Sequence, residues 1–242
     1  MRKLKDKDVF KVLENKDFCT KDNVLWKKVG LRMIFNVKQA PNSVTYKARL
    51  VAGGHTTHVE NMDRYASTVK TENFRLLILL IVKWQLSALQ GDVSTAYLNA
   101  MTKETIYANC GPEFAAYDKA LVGKNVQVVK ALYGLKTSGH EWYAELNDTM
   151  RSLGYQPAKG YSSVWYAYNM RTELYDYVAY HVDDFIVISD RPDLFEDRLK
   201  EIYDITGNVL PTFHLGMDLN VIDDFHWRIS SNGNRQIGRA HV

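Results

Sequence analysis

Cysteine is scarce in this chain of 242 residues: Cys19 and Cys110 stand alone and far apart. That excludes a disulfide scaffold. With no CxxC pair, the usual signature of structural zinc or dithiol redox chemistry is missing too, and a reducing compartment fits best. Proline is also rare, five in all and none clustered, so no Pro-rich linker divides the chain. Long apolar runs are missing. The longest, Leu76 to Val82, has seven residues, against about 20 for a membrane span. The N-terminal MRKLKDKDVF has no apolar core of secretory type. Neither membrane nor secretory pathway is expected, and no internal repeat or low-complexity segment suggests an array. With 46% hydrophobic and 24% charged residues, disorder, collagen and coiled coil are excluded.

The net charge is only +3, but it is unevenly spread. Residues 1–60 hold 13 Lys and Arg against six acids, a surplus of +7, and the remainder carries −4. A basic front half suits a polyanion and an acidic rear half suits cations, although charge dispersed over a solvated surface would read the same way. Alternation at Leu31, Met33, Phe35 and Val37, a turn at 39–43, and alternation again at Val44, Tyr46, Ala48 and Leu50 predict a β-hairpin. Its second strand would display Lys47 and Arg49 side by side. Residues 72–90 read as a buried helix broken by Gly91-Asp92, and 139–153 as a second helix capped by Gly154. Residues 105–109, 125–130, 175–188, 213–221 and 226–230 read as strands. A third helix starts at Asp190 and Pro192 and closes at Gly207. This interleaving without strict βαβ order predicts an antiparallel-rich α+β fold with helices on one sheet face.

Asp183 and Asp184 are adjacent acids in an apolar setting, between Tyr177–Tyr180 and Phe185–Ile188. Neighbours on one continuous strand point to opposite faces, so one acid would be buried at a cost of several kcal/mol. A hairpin turn at 181–184 removes the conflict and exposes both carboxylates. Such a pair repels itself unless a cation sits nearby, and Mg²⁺ takes oxygen ligands of this kind. An ordinary Asp-rich turn is the plain alternative. Asp92 opens the half-apolar DVSTAYLN and is the third candidate. Spacing alone does not show that the three acids meet.

Several segments resemble, in order, the reverse transcriptase domain of copia-type LTR retrotransposon polyproteins. They are YKARLVAGGH (46–55), QGDVSTAYLN (90–99), VVKALYGLKTSGHEWY (128–143), SLGYQPAKGYSSVWY (152–166), AYHVDDFIVIS (179–189) and FHLGMDL (213–219). The resemblance covers roughly residues 25–222. It implies a right-hand polymerase with fingers and palm. The palm would be an antiparallel sheet backed by helices, and the thumb would be largely absent. The expected division is 1–89 as a basic fingers-like region with the first palm helix, 90–222 as palm, and 223–242 as a partial or extraneous tail.

Roles follow from the resemblance residue by residue. Asp92, Asp183 and Asp184 would be the catalytic triad and hold two Mg²⁺ ions, with Mn²⁺ as a substitute. Lys47 and Arg49 would face the triphosphate, and Tyr97 would stack under the sugar and exclude a 2′-hydroxyl. Val182 and Thr137 complete the expected nucleotide contacts, Thr137 standing where the family usually has Gln. Leu215-Gly216-Met217 would position the primer end, whereas Trp142, Leu146 and Met150 read as packing. The implied activity is RNA-directed DNA polymerisation on a primed RNA or DNA template with dNTPs, in a cytoplasmic virus-like particle. Three departures stand out: Gly53 for Arg, Thr137 for Gln, and His181 for Tyr before VDD. They keep open an inactive remnant that still binds nucleic acid. A metal-dependent nuclease sharing only the acids is a third reading. His55 and His58 lack partner ligands at zinc spacing.

Overall fold

Period-two patterning outweighs helical spacing in this chain, and strands dominate its architecture. A computed structural model describes residues 2–14, 26–40, 43–54, 64–214, 217–223 and 226–230. In chain order the elements are α1 (Arg2–Asp6), β1 (Phe10–Val12), β2 (Lys27–Lys28), β3 (Leu31–Ala40), β4 (Ser43–Ala52), α2 (Thr71–Trp84), β5 (Ser87–Val93), β6 (Ile106–Asn109), β7 (Asn125–Val128) and α3 (Ser138–Ser152). They continue with β8 (Gln156–Ala158), β9 (Tyr161–Asn169), β10 (Leu174–His181), β11 (Asp184–Ser189), α4 (Pro192–Lys200), β12 (Ile205–Val209), β13 (Phe213–His214), β14 (Met217–Asp223) and β15 (His226–Ser230). Among the described residues every strand pair is antiparallel except β2 with β6. The chain forms two compact units, residues 1–66 with 95–149, and residues 67–94 with 150–242. The boundary drawn from the sequence between 89 and 90 lies inside β5.

The second unit is built on a six-stranded sheet ordered β12-β5-β11-β10-β9-β8. β11 is buried from Phe185 to Ser189, because both of its faces are covered. On one face Ile186 and Ile188 join Ala88, Ala179 and the α2 residues Phe74, Leu77, Ile78 and Ile81. On the other, Phe185 meets Phe195 of α4 edge-on at 6.0 Å. Each fully buried Ile or Phe contributes about 1.5–3 kcal/mol, so this central strand is strongly held. A three-stranded sheet, β13-β14-β15, completes the unit.

Two helix boundaries differ from the sequence expectation. α2 stops at Trp84, where Gln85 turns left-handed at φ 52° and its N–H donates to the Ile81 carbonyl. The following SALQGDV is strand, since a short apolar run does not distinguish buried helix from buried strand. Gly91 is therefore no helix breaker. It sits opposite Phe185, and a Cβ there would come within 2.5 Å of the Phe185 ring. Similarly, the N-cap of α4 is Arg191, not Asp190. Asp190 instead accepts from Asn169 Nδ2 at 2.9 Å and pairs with Arg171. α4 ends at Lys200, and Gly207, at φ 104°, lies within β12.

The first unit contains the sheet β1-β7-β6-β2 over a core of Val9, Ile106, Phe114, Val126, Val128 and Leu132. Burial, with Glu113 as a second cause, pushes the Cys110 thiol up to about 11, so it packs here as a neutral thiol. The long β3–β4 hairpin runs in unbroken register from Leu31↔Ala52 to Ala40↔Ser43. Its base belongs to the core through Leu50 and Ala52, but its outer half stands in solvent. The expected turn residues Pro41-Asn42 lie outside the described residues.

The base of the hairpin is clamped by backbone. Ala52 N–H donates to the Tyr133 carbonyl at 2.7 Å. A Cβ on Gly134 would meet the Ala52 carbonyl, and one on Gly54 would meet the Gly134 carbonyl. Gly134 also sits at φ 92°, where an L side chain is strained. Among the described residues, no helix is long and apolar enough to cross a membrane. We expect Gly134→Ala to lose about 2–4 kcal/mol of stability, the sum of left-handed strain and overpacking. Urea unfolding checks this, and an unchanged midpoint would contradict the clamp.

Candidate active site

Strand register sets two of the three candidate acids opposite each other. β11 pairs with β5 so that Asp184 lies directly opposite Asp92, and β12 brings Thr206 opposite Asp92 from the other side. Opposed residues on antiparallel strands project on one face with Cβ atoms about 4.5–5.5 Å apart. Both aspartates are half-buried. Thr206 Oγ1 donates to Asp92 Oδ1 at 3.4 Å. Asp183 sits in the turn, where its carbonyl accepts from Val93 N–H at 2.9 Å. The strand carrying Asp92 and the turn carrying Asp183 are thus tied by backbone.

The β10–β11 hairpin closes as the sequence predicted. His181 pairs with Asp184, leaving Val182 and Asp183 as a two-residue turn. Val182 has φ 62°, a left-handed value that a β-branched residue rarely adopts. With Val182 but not Asp183 at positive φ, this is the type II′ pattern, which normally places glycine at the first central position. Strain at this tip is held by the buried strands on either side, as is common where geometry is functional. His181 Nδ1 is buried without a hydrogen-bond partner among the described residues.

The donor set suits a hard divalent cation. Facing carboxylates repel each other, and Mg²⁺ binds one or two such groups together with substrate phosphates. The full three-acid arrangement is a different matter. Among the described residues, no group of three or more His, Cys, Asp or Glu side chains is placed to hold a metal ion. Register brings Asp92 and Asp184 together, and the third carboxylate is not gathered with them.

In the first unit, Lys47 and Arg49 lie two apart on β4 and are exposed on the same face, as expected. Tyr97 is not on a strand. β5 ends at Val93, Thr95 turns left-handed at φ 54°, and Ala96–Asn99 form one 3₁₀ turn. The Tyr97 ring is half-buried and packs on Tyr133 with centroids 4.9 Å apart. The Arg49 guanidinium lies over the Tyr133 ring at 5.8 Å. Tyr133 therefore joins two candidates that the sequence treated separately. The signal was available, because Tyr133 opens the YGLK segment, but no periodicity marks a turn residue.

Thr137 is placed differently from its expected role. Only 2% of it is exposed. Its hydroxyl lies 2.8 Å from Glu104 Oε1 and 3.1 Å from Glu141 Oε1. Glu141 Oε1 also accepts from the Lys103 N–H at 2.6 Å and from Thr102 Oγ1 at 3.1 Å. A side chain so committed does not present itself to a nucleotide. The cause is local. Thr137 precedes α3, and both Glu104 and Glu141 are buried beside it. Burial raises the Glu141 carboxyl above the ordinary range. Its bonds to Lys103, Thr137 and Thr102 lower it, and Glu104 raises it again.

Residues 19–226 match the family model described as reverse transcriptase (RNA-dependent DNA polymerase). The chain belongs to the reverse transcriptase family. It is 28% identical over 178 residues to the "Retrovirus-related Pol polyprotein from transposon RE1" of Arabidopsis thaliana, covering 72% of this chain and 12% of that protein. It is likewise 28% identical over 208 residues to the "Transposon Ty1-BL Gag-Pol polyprotein" of Saccharomyces cerevisiae, covering 84% of this chain and 11% of that one. The reverse transcriptase chain thus spans about a tenth of the length of these relatives. They support the copia-type retrotransposon branch that the ordered motifs pointed to.

Not every motif of this reverse transcriptase domain can be placed. Leu215 and Gly216 lie outside the described residues, as do His55 and His58, while Met217 is buried at the start of β14. Trp142, Leu146 and Met150 are buried, as packing residues should be. The Glu104–Thr137–Glu141 network was not foreseen. It yields a pH prediction. A carboxyl raised on folding stabilises the fold below its unfolded pKa, and that stability is lost as pH rises through the folded value. Glu141→Gln mimics the protonated form, so its stability relative to wild type should grow as pH rises above the ordinary carboxyl range. Thermal unfolding at rising pH checks this, and a constant difference would contradict it.

Proposed function

We propose that this domain is an RNA-directed DNA polymerase that adds dNTPs to a primer 3′-hydroxyl at a two-metal carboxylate centre. The observation that carries the reading is the register opposition of Asp92 and Asp184 beside a strained hairpin tip. Family membership and the mixed α/β fold agree with it. Asp92 and Asp184 would hold Mg²⁺, with Asp183 completing the set once substrate phosphates are present. When bound, the ions lower the pKa of the attacking hydroxyl and neutralise charge on the triphosphate. The protein's own task is positioning.

That task is divided among named residues. Lys47 and Arg49 bind the triphosphate, Arg49 with a planar fork whose orientation Tyr133 fixes. Tyr97, braced by the same ring, lies under the sugar and excludes a 2′-hydroxyl. Val182 keeps the acid pair on a rigid tip. In this reading the six-stranded sheet is the palm and the β3–β4 hairpin is a fingers element. The partners are a primed RNA or DNA template and dNTPs, in a cytoplasmic particle. A second reading is an inactive remnant that still binds nucleic acid. The ungathered third carboxylate and the internal commitment of Thr137 favour it.

Primer extension on an RNA template with Mg²⁺ separates the two. The wild-type chain should extend, and Asp92→Asn or Asp184→Asn should reduce the rate at least about 10³-fold, a loss of roughly 4 kcal/mol of transition-state stabilisation. A folded wild-type protein that fails to extend would favour the remnant. Tyr97→Ala should raise ribonucleotide incorporation relative to deoxynucleotide by about 10-fold or more, the range expected for removing one steric contact. Competition between dNTP and rNTP measures it, and an unchanged ratio would remove Tyr97 from the sugar site.

A further inference from the structure

Two buried carboxylates of the first unit share one hydroxyl, and no step of the polymerase reading uses them. Glu104 is 7% exposed, Glu141 5% and Thr137 2%. Glu104 lies in the loop that leads into β6, and Glu141 in the first turn of α3. The Thr137 hydroxyl stands 2.8 Å from Glu104 Oε1 and 3.1 Å from Glu141 Oε1. A hydroxyl carries one hydrogen, so only one of these contacts is a hydrogen bond donated by Thr137. Thr102 Oγ1 completes the oxygen set. It donates to Glu141 Oε1 at 3.1 Å and accepts the Glu104 N–H at 3.2 Å. Glu141 Oε2 is buried with no hydrogen-bond partner among the described residues. Burial is the first cause that raises the Glu141 carboxyl, and the neighbouring charge that adds to it is Glu104, of the same sign. Charge buried in this way is costly unless an opposite charge accompanies it.

We propose that Glu104, Glu141, Thr102 and Thr137 form a structural site for a divalent cation of the calcium class. The site lies wholly in the first unit and shares no residue with the Asp92–Asp184 pair, so it stands whether or not the domain polymerises DNA. Chemistry separates a metal ion from a proton here. A proton on Glu141 Oε2 would be a buried donor with no acceptor among the described residues. A proton on Oε1 would meet the Lys103 N–H at 2.6 Å and the Thr102 hydroxyl at 3.1 Å, which already donate there. A proton on Glu104 would satisfy Thr137 and leave Oε2 as it was. A cation takes Oε2 directly, and two positive charges balance two carboxylates. Ligands that are all oxygen, carboxylate and hydroxyl, select a hard ion. Mg²⁺ demands near-ideal octahedral geometry and keeps several waters, whereas Ca²⁺ accepts about six to eight oxygens in irregular geometry. A site this closed to solvent fits Ca²⁺. The ion ties the loop before β6 to the start of α3, which Ser138 Oγ already links to the Leu132 carbonyl at 2.7 Å.

The test adds calcium chloride alone to the full chain carrying Asp92→Asn and Asp184→Asn, so that the polymerase acids do not report. The protein is first dialysed against EGTA. About 1 mM Ca²⁺ should raise its melting temperature by about 5 °C or more, the response expected at roughly a hundredfold excess over a Kd of about 10 µM. The same concentration of Mg²⁺ should leave it unmoved. In that background Glu104→Gln and Glu141→Gln should each lose the shift. Thr137→Val should weaken Ca²⁺ binding on the order of 10-fold by titration calorimetry. Circular dichroism checks folding, and Thr137→Val, which keeps its shape and both charges, decides the matter if a glutamine variant does not fold. In EGTA, Glu141→Gln should melt above its background as pH rises, and Ca²⁺ should reverse that order. Absence of a Ca²⁺ shift in the Asp92→Asn, Asp184→Asn chain overturns the proposal. So does a shift that survives in both glutamine variants, or one that Mg²⁺ matches. An order that Ca²⁺ does not reverse means that a proton serves the site, and overturns it too.

Discussion

Two aspartates set opposite each other at the ends of the neighbouring strands β5 and β11 are the constraint on which the rest of this structure turns. Asp92 and Asp184 are opposed because β5 and β11 pair in one register. That register is enforced by Val187 opposite Leu89, Ile188 opposite Ala88, and Phe185 over Gly91. A slip of one residue would exchange the two faces of β11, take Phe185 off Gly91 and separate the acids. The hydrophobic burial of β11 is thus what holds the two acids opposite each other.

The same logic shapes the connections. A two-residue turn fixes where Asp184 begins its strand, even though it places Val182 at positive φ. In the other unit, Gly54 and Gly134 let two backbones touch, which anchors the β3–β4 hairpin at its base. The Tyr133 ring, projecting from that anchored turn, supports both Arg49 and Tyr97. Two of the candidate nucleotide contacts, Arg49 and Tyr97, are therefore braced by one ring.

Much of this was readable from the residues. Alternation gave the β3–β4 hairpin, and the incompatibility of adjacent aspartates with a continuous strand gave the hairpin turn at 181–184, whose two central residues are Val182 and Asp183. Other features were hidden for physical reasons. SALQGDV is apolar enough for either helix or strand, and only the ring of Phe185 explains Gly91. Asp190 looks like an N-cap by type, but Asn169 and Arg171 claim its carboxylate. Motif alignment made Thr137 a nucleotide contact, yet two buried glutamates, distant in sequence, hold its hydroxyl. Long-range partners of this kind leave no local pattern.

The most direct test of the central claim is the melting temperature of wild type, Asp92→Asn and Asp184→Asn with and without about 10 mM Mg²⁺. If the opposed carboxylates form the cation site, each variant should melt higher than wild type without the metal, because a like-charge repulsion is removed. Mg²⁺ should then raise the wild-type value and leave both variants unmoved. Equal responses to Mg²⁺ in all three proteins would contradict the account.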